Sequence, residues 1–261
     1  MTKLRLDALL AQRGLFASRA RAAASVMAGE VRLGGSGGER AAKPGQLVAE
    51  DVEVAVDERP RFVSRGGIKL ANALAATGVD PTGRRCLDVG ASTGGFTDCL
   101  LQQGARMVLA VDVGYGQLDW RLRQDSRVLV MERLNARHLG DSFLPFRPQL
   151  ITVDVSFISL AMLIPSIVAT AAEEFDLLGL VKPQFELGKE KVGKGGVVRD
   201  AGDRRDAIRK VAEAVDKEGL VVRGLASSGL PGPKGNRETF VWASRTGDSI
   251  DLDAALEEVE P

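Results

Sequence analysis

The segment Leu87-Asp-Val-Gly-Ala-Ser-Thr-Gly-Gly-Phe-Thr97 constrains this chain more than any other. An apolar run, Arg85 to Val89, reads as a buried parallel strand. A glycine-rich turn follows, and then an amphipathic stretch, Phe96 to Gln103, that opens a helix. Glycines at 90, 94 and 95 let the backbone turn and approach a ligand without a Cβ clash. The spacing departs from the dinucleotide pattern G-x-G-x-x-G, which disfavours a nicotinamide enzyme. A second apolar strand, Met107 to Val113, carries Asp112, 24 residues beyond Asp88. That is about the spacing at which an acid at the tip of a second strand meets a ribose. Either acid alone can equally cap a helix or a turn. Together with the glycine turn they favour a nucleoside cofactor, and the acid at Asp88 suits a positively charged one such as S-adenosylmethionine better than a pyrophosphate.

At 261 residues the chain has room for one large domain or two smaller ones. Its 44% hydrophobic and 27% charged residues are those of a soluble globular protein. The net charge is zero, but unevenly spread. Residues 1–45 hold eight Lys/Arg against three Asp/Glu, while the tail from Asp248 holds six acids and no base. A basic head is compatible with nucleic-acid binding by one module, or with a solvated surface. Cys86 and Cys99 flank the glycine turn as small core residues, so a disulfide framework is not expected, which fits a reducing cytoplasm. With one histidine, His138, and no Cys/His cluster, no metal site is expected. The N-terminus lacks the apolar core of a signal peptide, and no apolar run approaches the ~20 residues of a membrane span. A cytoplasmic protein acting as a monomer, away from membranes, is expected.

Residues 3–58 read as a compact module. Leu4, Leu6, Leu9, Leu10 and Leu15 give an apolar helical face, Ser18 caps a second helix from Arg19 to Ala28, and Gly29 stops it. Short strands are expected over Glu30 to Leu33, Gln46 to Val48 and Asp51 to Val56, separated by the turns Gly34–Gly38 and Lys43-Pro-Gly45. Arg13, Arg19, Arg21 and Arg32 can line one face. The pattern Arg5-Leu-Asp7, Gly14, Ser18-Arg19, Ala22, Gly29-x-Val31 and Lys43-Pro-Gly45 resembles the S4 RNA-binding domain. That resemblance implies RNA contacts from Arg5, Arg13, Ser18, Arg19, Arg21, Arg32 and Lys43. The Gly-rich run 34–38 stands where such domains have a tighter Val-Asn-Gly turn. Arg5-Leu6-Asp7 is also similar to the catalytic tripeptide of pseudouridine synthases; nothing downstream continues that pattern, and Asp7 is expected to cap or pair within a small helix.

Glu58-Arg-Pro-Arg61 marks a linker, since Pro60 disfavours helix around it. We therefore divide the chain into residues 1–58, a linker at 59–62, a second domain over 63–247 and an acidic tail over 248–261. In the second domain strands are predicted near 85–90, 107–113, 127–132, 149–155, 177–182, 220–226 and 238–244, most of them separated by helices. That alternation predicts an α/β fold with a doubly wound, Rossmann-like sheet. The acidic segment Ser249 to Glu260 forms one helix or remains loose.

Methyl transfer from a sulfonium needs an in-line nucleophile, and a ribose hydroxyl is a reluctant one. A lysine can serve as its base if burial or a neighbouring cation lowers its pKa. Lysines and carboxylates at strand ends are therefore the candidates. Lys69 lies on an expected helix before the first strand. Asp154 ends the strand Leu150 to Val155, Lys182 follows Leu177 to Val181, and Glu238 opens the last strand. Taken singly, Lys69 reads as a surface lysine and Glu238 as a capping acid. The set resembles the Lys-Asp-Lys-Glu tetrad of FtsJ-like RNA ribose 2′-O-methyltransferases. Ser64-Arg65, Lys69-Leu70, the glycine turn, Asp112, Asp154, Lys182 and Glu238 carry the match.

Lys182-Pro-Gln-Phe-Glu186 and Gly195-Gly-Val-Val-Arg-Asp200 extend the resemblance over nearly the full length, to the TlyA family of rRNA cytidine-2′-O-methyltransferases, some of which carry the label haemolysin. It implies a Rossmann-like methyltransferase sheet behind a small α+β S4 domain, and ribosomal RNA in assembled or partly assembled subunits as partner. It implies S-adenosylmethionine contacts from Asp88, Gly90, Ser92, Thr93, Gly94, Gly95, Phe96, Asp112 and Asn135, the last equally a turn residue. Lys69, Asp154, Lys182 and Glu238 would be catalytic, and Arg65 would touch RNA. The loop Lys189-Glu-Lys-Val-Gly-Lys-Gly-Gly196 reads as a lid, an RNA-contact loop through Lys189 and Lys191, or a plain surface loop. Tyr115 and Trp120 can stack on a base or serve packing. Two other readings are a membrane-active haemolysin, against which the absent signal and spanning segments argue, and an RNA-binding protein with an inactive methyltransferase domain.

Overall fold

The computed structural model describes residues 3–57, 60–139 and 144–260. It separates into two compact units, Met1–Pro60 and Arg61–Pro261. Glu58 and Arg59, at the expected linker, lie outside the described residues.

The first unit follows its apolar spacing. Strand β1 (Lys3–Arg5) runs directly into helix α1 (Leu6–Gln12), which packs on helix α2 (Arg19–Met27). Leu6, Leu9 and Leu10 of α1 meet Ala22 and Val26 of α2 over Val31 and Val48, whereas Leu15 faces outward. Ser18 caps α2 by accepting from Arg21 N at 3.2 Å, and Gly29 ends it at φ +74. Strands β2 (Val31–Leu33), β3 (Glu39–Arg40), β4 (Leu47–Ala49) and β5 (Val54–Val56) follow. β4 pairs with β1, and β2 lies between β3 and β5, all antiparallel. The strand expected from Asp51 begins only at Val54, because Val52 N turns back onto Ala49 O. Asp7 is buried and pairs with Arg5 at 2.7 Å and with Arg19 at 3.4 Å.

In the second unit helix α3 (Arg65–Thr77) precedes strand β6 (Arg85–Val89), helix α4 (Gly95–Gln102), strand β7 (Met107–Asp112), helix α5 (Trp120–Arg123) and strand β8 (Val128–Glu132). Then come strand β9 (Leu150–Val153), helix α6 (Ile164–Val168), strand β10 (Asp176–Val181), helix α7 (Pro183–Glu186), helix α8 (Ala201–Lys217), strand β11 (Val221–Ser227), strand β12 (Thr239–Ser244) and helix α9 (Leu252–Val259). The sheet order is β11-β12-β10-β9-β6-β7-β8. β6 pairs in parallel with both β7 and β9, and β10 with β9, while β12 is antiparallel to both neighbours. The order reverses at β6/β9, the crevice where open α/β sheets bind ligands. The central strands are buried on both faces. Leu87, Val89, Ile151 and Val153 pack with Ile164, Ile167, Ile208 and Val211 on one side. Cys86, Leu150, Leu178 and Phe240 meet Leu70, Phe96 and Leu100 on the other.

The acidic C-terminal segment belongs to this unit rather than standing apart as a tail. Leu252, Leu256 and Val259 recur at helical spacing, and Leu256 is fully buried in the core. Glu260 is buried beside Arg204 Nε at 2.6 Å. Its six acids thus mask an amphipathic helix.

Candidate active site

Two adjoining cavities open at the carboxyl ends of the central strands, sharing Gly90, Ser92, Asp154 and Ser156. The first, about 540 Å³, is lined by Val111, Asp112, Gln117, Leu134, Asn135, Arg137, Phe157 and Leu163. The second, about 380 Å³, is lined by Ser64, Arg65, Lys69, Thr93, Gly95, Phe96, Lys182 and Pro233.

The turn after β6 separates them. Gly90 has φ +84, and a Cβ there would run into the Asp154 carbonyl, so only glycine lets β6 and β9 end this close. Asp112, at the tip of β7, accepts from Ser92 N at 2.8 Å through Oδ2 and from Gly114 N at 2.6 Å through Oδ1. It pins the turn and faces the first cavity. Asn135 lines the same cavity, and its Oδ1 accepts from Arg137 N at 3.0 Å, so it is at once a wall and a turn residue.

Two residues of the expected cofactor set lie elsewhere. Asp88 lines neither cavity. As an interior strand residue it is fully buried, and it accepts from Thr97 Oγ1 at 2.7 Å and Thr152 Oγ1 at 3.3 Å. Burial pushes its carboxyl up to about 7; the Thr97 and Thr152 hydrogen bonds oppose this and the Asp154 charge adds to it. Gly94, the N-cap of α4 at φ +96, also lines neither cavity; a Cβ there would overlap Leu118 and Leu122 on the packed side of the turn.

The four charged residues expected to act together form two ion pairs. Lys182 Nζ lies 2.5 Å from Asp154 Oδ1 and donates to Ser156 Oγ at 3.1 Å. Lys69, buried on α3, pairs with Glu238 Oε2, while Glu238 Oε1 is buried without a hydrogen-bond partner among the described residues. Asp154, Lys182 and Lys69 line the second cavity; Glu238 sits behind Lys69. Along α3, Arg65, Lys69 and Asn72 follow at i, i+4 and i+7, one helical face. All three reach the segment between β11 and β12: Arg65 donates to Pro231 O at 2.9 Å, Asn72 donates to Ser228 O at 3.0 Å, and Lys69 takes Glu238.

Several expected RNA contacts are committed within the protein. Arg13 donates to Val52 O at 2.8 Å and to Glu50 O. Arg32 holds Asp57 at 2.8 Å and Gly38 O at 3.3 Å. Lys191 binds Asp203 at 2.9 Å and Asp206 at 2.8 Å, and these hydrogen bonds raise its pKa further. Arg5 and Arg19 share Asp7, Ser18 caps α2, and Arg65 reaches both Pro231 and the second cavity. Arg21, Lys43 and Lys189 are exposed. The Gly-rich part of the 189–196 loop is tied down by Asn236, which accepts from Val198 N at 2.9 Å and donates to Gly196 O at 2.8 Å.

Sequence reasoning missed Gln117, Arg137, Ser156, Phe157 and Pro233, and it used Ser64 only as part of the family match. The position of Ser156 and Phe157 directly after Asp154 at a strand end was the available signal. Phe157 is 93% exposed, has φ +66, and lies 5.4 Å from the Phe185 ring. Ser92, at φ +48, and Arg133, at φ +58, are the other non-glycine residues of positive φ among the described residues. All three follow strand ends at this edge, and such strain gathers at functional sites. Tyr115 and Trp120 are exposed rather than packed, with the Arg133 guanidinium 4.3 Å from the Tyr115 ring centroid.

Residues 62–245 match the FtsJ-like methyltransferase family. The chain is 48% identical over 242 residues to the 16S/23S rRNA (cytidine-2′-O)-methyltransferase TlyA of Mycobacterium tuberculosis, covering 92% of this chain and 89% of that protein. A solved Streptococcus thermophilus protein bearing a provisional hemolysin name is 40% identical, with a TM-score of 0.74 over 99% of this chain and 94% of that one. An S-adenosylmethionine-dependent methyltransferase from Mesorhizobium loti shares the fold, at 15% identity and a TM-score of 0.50 over 70% of this chain and 100% of that one. No helix among the described residues is long and apolar enough to cross a membrane. The chain belongs to the FtsJ-like methyltransferase family, in the branch that includes the TlyA rRNA methyltransferases.

Proposed function

We propose that this protein transfers the methyl group of S-adenosylmethionine to the 2′-hydroxyl of a cytidine ribose in ribosomal RNA of the small subunit and, in addition, of the large subunit. The observation that carries the reading is the Lys182–Asp154 pair, with Lys69 in the same cavity, next to the glycine turn and the Asp112 cavity.

The first cavity fits a nucleoside. Its volume is in the range of small-molecule sites, its walls are largely apolar, and the polar groups on them include the carboxylates of Asp112 and Asp154 and the amides of Gln117 and Asn135. Asp112 would accept from ribose hydroxyls, Asn135 would approach the base, and Gly90, Ser92 and Thr93 would let the remainder lie against the turn. When bound, S-adenosylmethionine supplies a methyl group on a cationic sulfur and leaves as a neutral thioether.

The chain's own residues must then handle one proton. A ribose hydroxyl attacks well only as that proton departs, so Lys182, as the free amine, takes it while the oxygen–methyl bond forms and the sulfur–methyl bond breaks. Asp154 holds the amine in place and stabilises the ammonium that results. Lys69, fixed by Glu238, stands in the same cavity as Lys182 and would help hold the substrate there. Glu238 acts through Lys69. Exposed Phe157 offers a flat apolar surface at the cavity mouth for the target base.

The first unit, with exposed Arg21 and Lys43, would supply phosphate affinity as an S4-like module, and Lys189 would add to it in the second. The protein would act as a monomer, without a metal, in the cytoplasm where ribosomal subunits assemble. Mapping 2′-O-methyl positions in rRNA from cells with and without the gene tests the reading. A cytidine position that loses its methyl group in the deletion is expected. Unchanged maps, with no methyl transfer to purified subunits, would overturn it. The hemolysin name borne by the Streptococcus thermophilus protein warrants one control, dye release from lipid vesicles, where none is expected.

A further inference from the structure

Glu186 is a buried carboxylate that the proposed chemistry leaves unused. It ends α7, four residues after Lys182, yet its side chain bonds to a different strand-end segment. Oε2 accepts from Ser159 Oγ at 2.6 Å and Oε1 accepts from Leu160 N at 2.5 Å. Lys210 of α8 secures it from behind, donating to the Glu186 carbonyl and lying 3.9 Å from Oε2. Burial pushes this carboxyl upward, and the hydrogen bonds from Ser159 and Leu160 N oppose that shift.

The segment so held, residues 154–160, begins at Asp154, continues through Ser156, the acceptor for Lys182, and passes through Phe157 at φ +66. A bulky residue in the left-handed region is strained and persists only where its surroundings impose it. The two bonds to Glu186 fall two and three residues further along, and the Phe157 and Phe185 rings add a contact between the same two segments.

We propose that Glu186 is a positioning residue for methyl transfer. It staples the segment after β9 to the segment after β10, setting the separation of Asp154 and Ser156 from Lys182 independently of the contacts those three make with one another. That independence matters because an incoming hydroxyl must insert at Lys182. The lysine and aspartate then stay in register while their direct contact is disturbed. This inference rests on the rRNA methyltransferase reading above.

The test compares wild type, Glu186→Ala, Glu186→Gln and Ser159→Ala as full-length proteins on purified ribosomal subunits lacking the modification. It measures kcat, KM for subunits, the pH dependence of kcat and S-adenosylmethionine affinity by calorimetry, normalising kcat to the fraction of protein that binds cofactor. Glu186→Ala is expected to lower kcat roughly 10- to 100-fold, the scale of a displacement near 1 Å in a reacting pair. Cofactor affinity should fall much less than kcat, because Asp112, Asn135 and the glycine turn lie outside the segment that Glu186 holds, although Asp154, Ser156 and Phe157 of that segment also line the first cavity. The pH dependence of kcat should differ from that of wild type, because Asp154 no longer stands in its place beside Lys182. Ser159→Ala retains the Glu186 carboxyl and removes one bond, so a smaller change in the same direction is expected. Glu186→Gln should lie between wild type and Glu186→Ala. A normalised kcat and pH dependence equal to wild type in Ser159→Ala and Glu186→Gln would overturn the proposal, even if Glu186→Ala fails to fold. A parallel loss of kcat and cofactor affinity would also overturn it, by showing collapse of the whole site. If wild type itself transfers no methyl group to the subunits, the functional reading fails instead.

Discussion

Replacing Asp88 with asparagine should change how stability responds to pH. The carboxyl is fully buried between Thr97 and Thr152, and burial raises its pKa from 3.8 to about 7. Between those values the folded chain keeps a proton that the unfolded chain releases. Wild-type stability therefore falls as pH rises through this window, by up to 1.36 kcal/mol per pH unit, and levels off above about pH 7. Across about three pH units the contribution sums to about 4 kcal/mol at most. Asparagine carries no charge at any pH and has nearly the same shape, so this slope disappears. Its amide can accept from Thr97 and donate to Thr152 Oγ1, whose own proton then turns to the Leu87 carbonyl at 3.5 Å, a rearrangement costing about 1–2 kcal/mol at every pH. Asp88→Asn is thus expected to be slightly less stable than wild type near pH 4.5 and about 2–3 kcal/mol more stable at pH 8. Urea unfolding between pH 4.5 and 8, followed by fluorescence of Trp120 and Trp242, measures the difference. If the two stability curves run parallel, Asp88 does not hold a proton in the folded state, and the reasoning from burial is wrong.

Gly94→Val should destabilise the second unit by more than about 3 kcal/mol, since it combines a strained φ with overlap against Leu118 and Leu122; a thermal midpoint within 2 °C of wild type, on the order of 1 kcal/mol for a chain this size, would contradict the packing. Asp112→Ala should weaken S-adenosylmethionine binding at least tenfold, about 1.4 kcal/mol, by removing a ribose acceptor and releasing Ser92 N and Gly114 N; unchanged calorimetric affinity in the folded variant would remove Asp112 from the site. RNA binding by the isolated residues 1–60 should weaken steeply with salt as phosphate contacts are lost. A salt-independent affinity would deny this unit a phosphate-binding role.

How much of this was legible depended on whether a residue's neighbours in sequence are also its neighbours in space. Asp154 and Lys182 directly follow apolar strands, so their placement at the ligand-binding edge followed from the strands themselves. Lys69 and Glu238 were harder, because 169 residues separate them and only the Arg65–Lys69–Asn72 face of α3 explains why they meet. Asp88 and Gly94 belong to the same motif as Gly90 and Asp112, yet sequence does not say which way each faces. The pleat of β6 turns Asp88 toward α4, and the helix start turns Gly94 toward Leu122. The antiparallel insertion of β12 between β10 and β11 was also hidden, since strand patterning reports burial and not partners. In the first unit, strands of two or three residues are too short to show alternation. At the C-terminus, six acids concealed the Leu252–Leu256–Val259 stripe.

The most direct test of the proposed chemistry is methyl transfer to ribosomal subunits by Lys182→Arg, with Lys182→Ala beside it and S-adenosylmethionine affinity measured in both. A guanidinium can hold the salt bridge to Asp154 but stays charged and cannot take a proton from a hydroxyl. Both variants should bind cofactor nearly as well as wild type and transfer methyl groups about 10²–10⁴-fold more slowly, the range for lost general-base catalysis. Transfer by Lys182→Arg close to the wild-type rate would contradict proton removal by Lys182 and leave it only a role in holding Asp154 and the substrate.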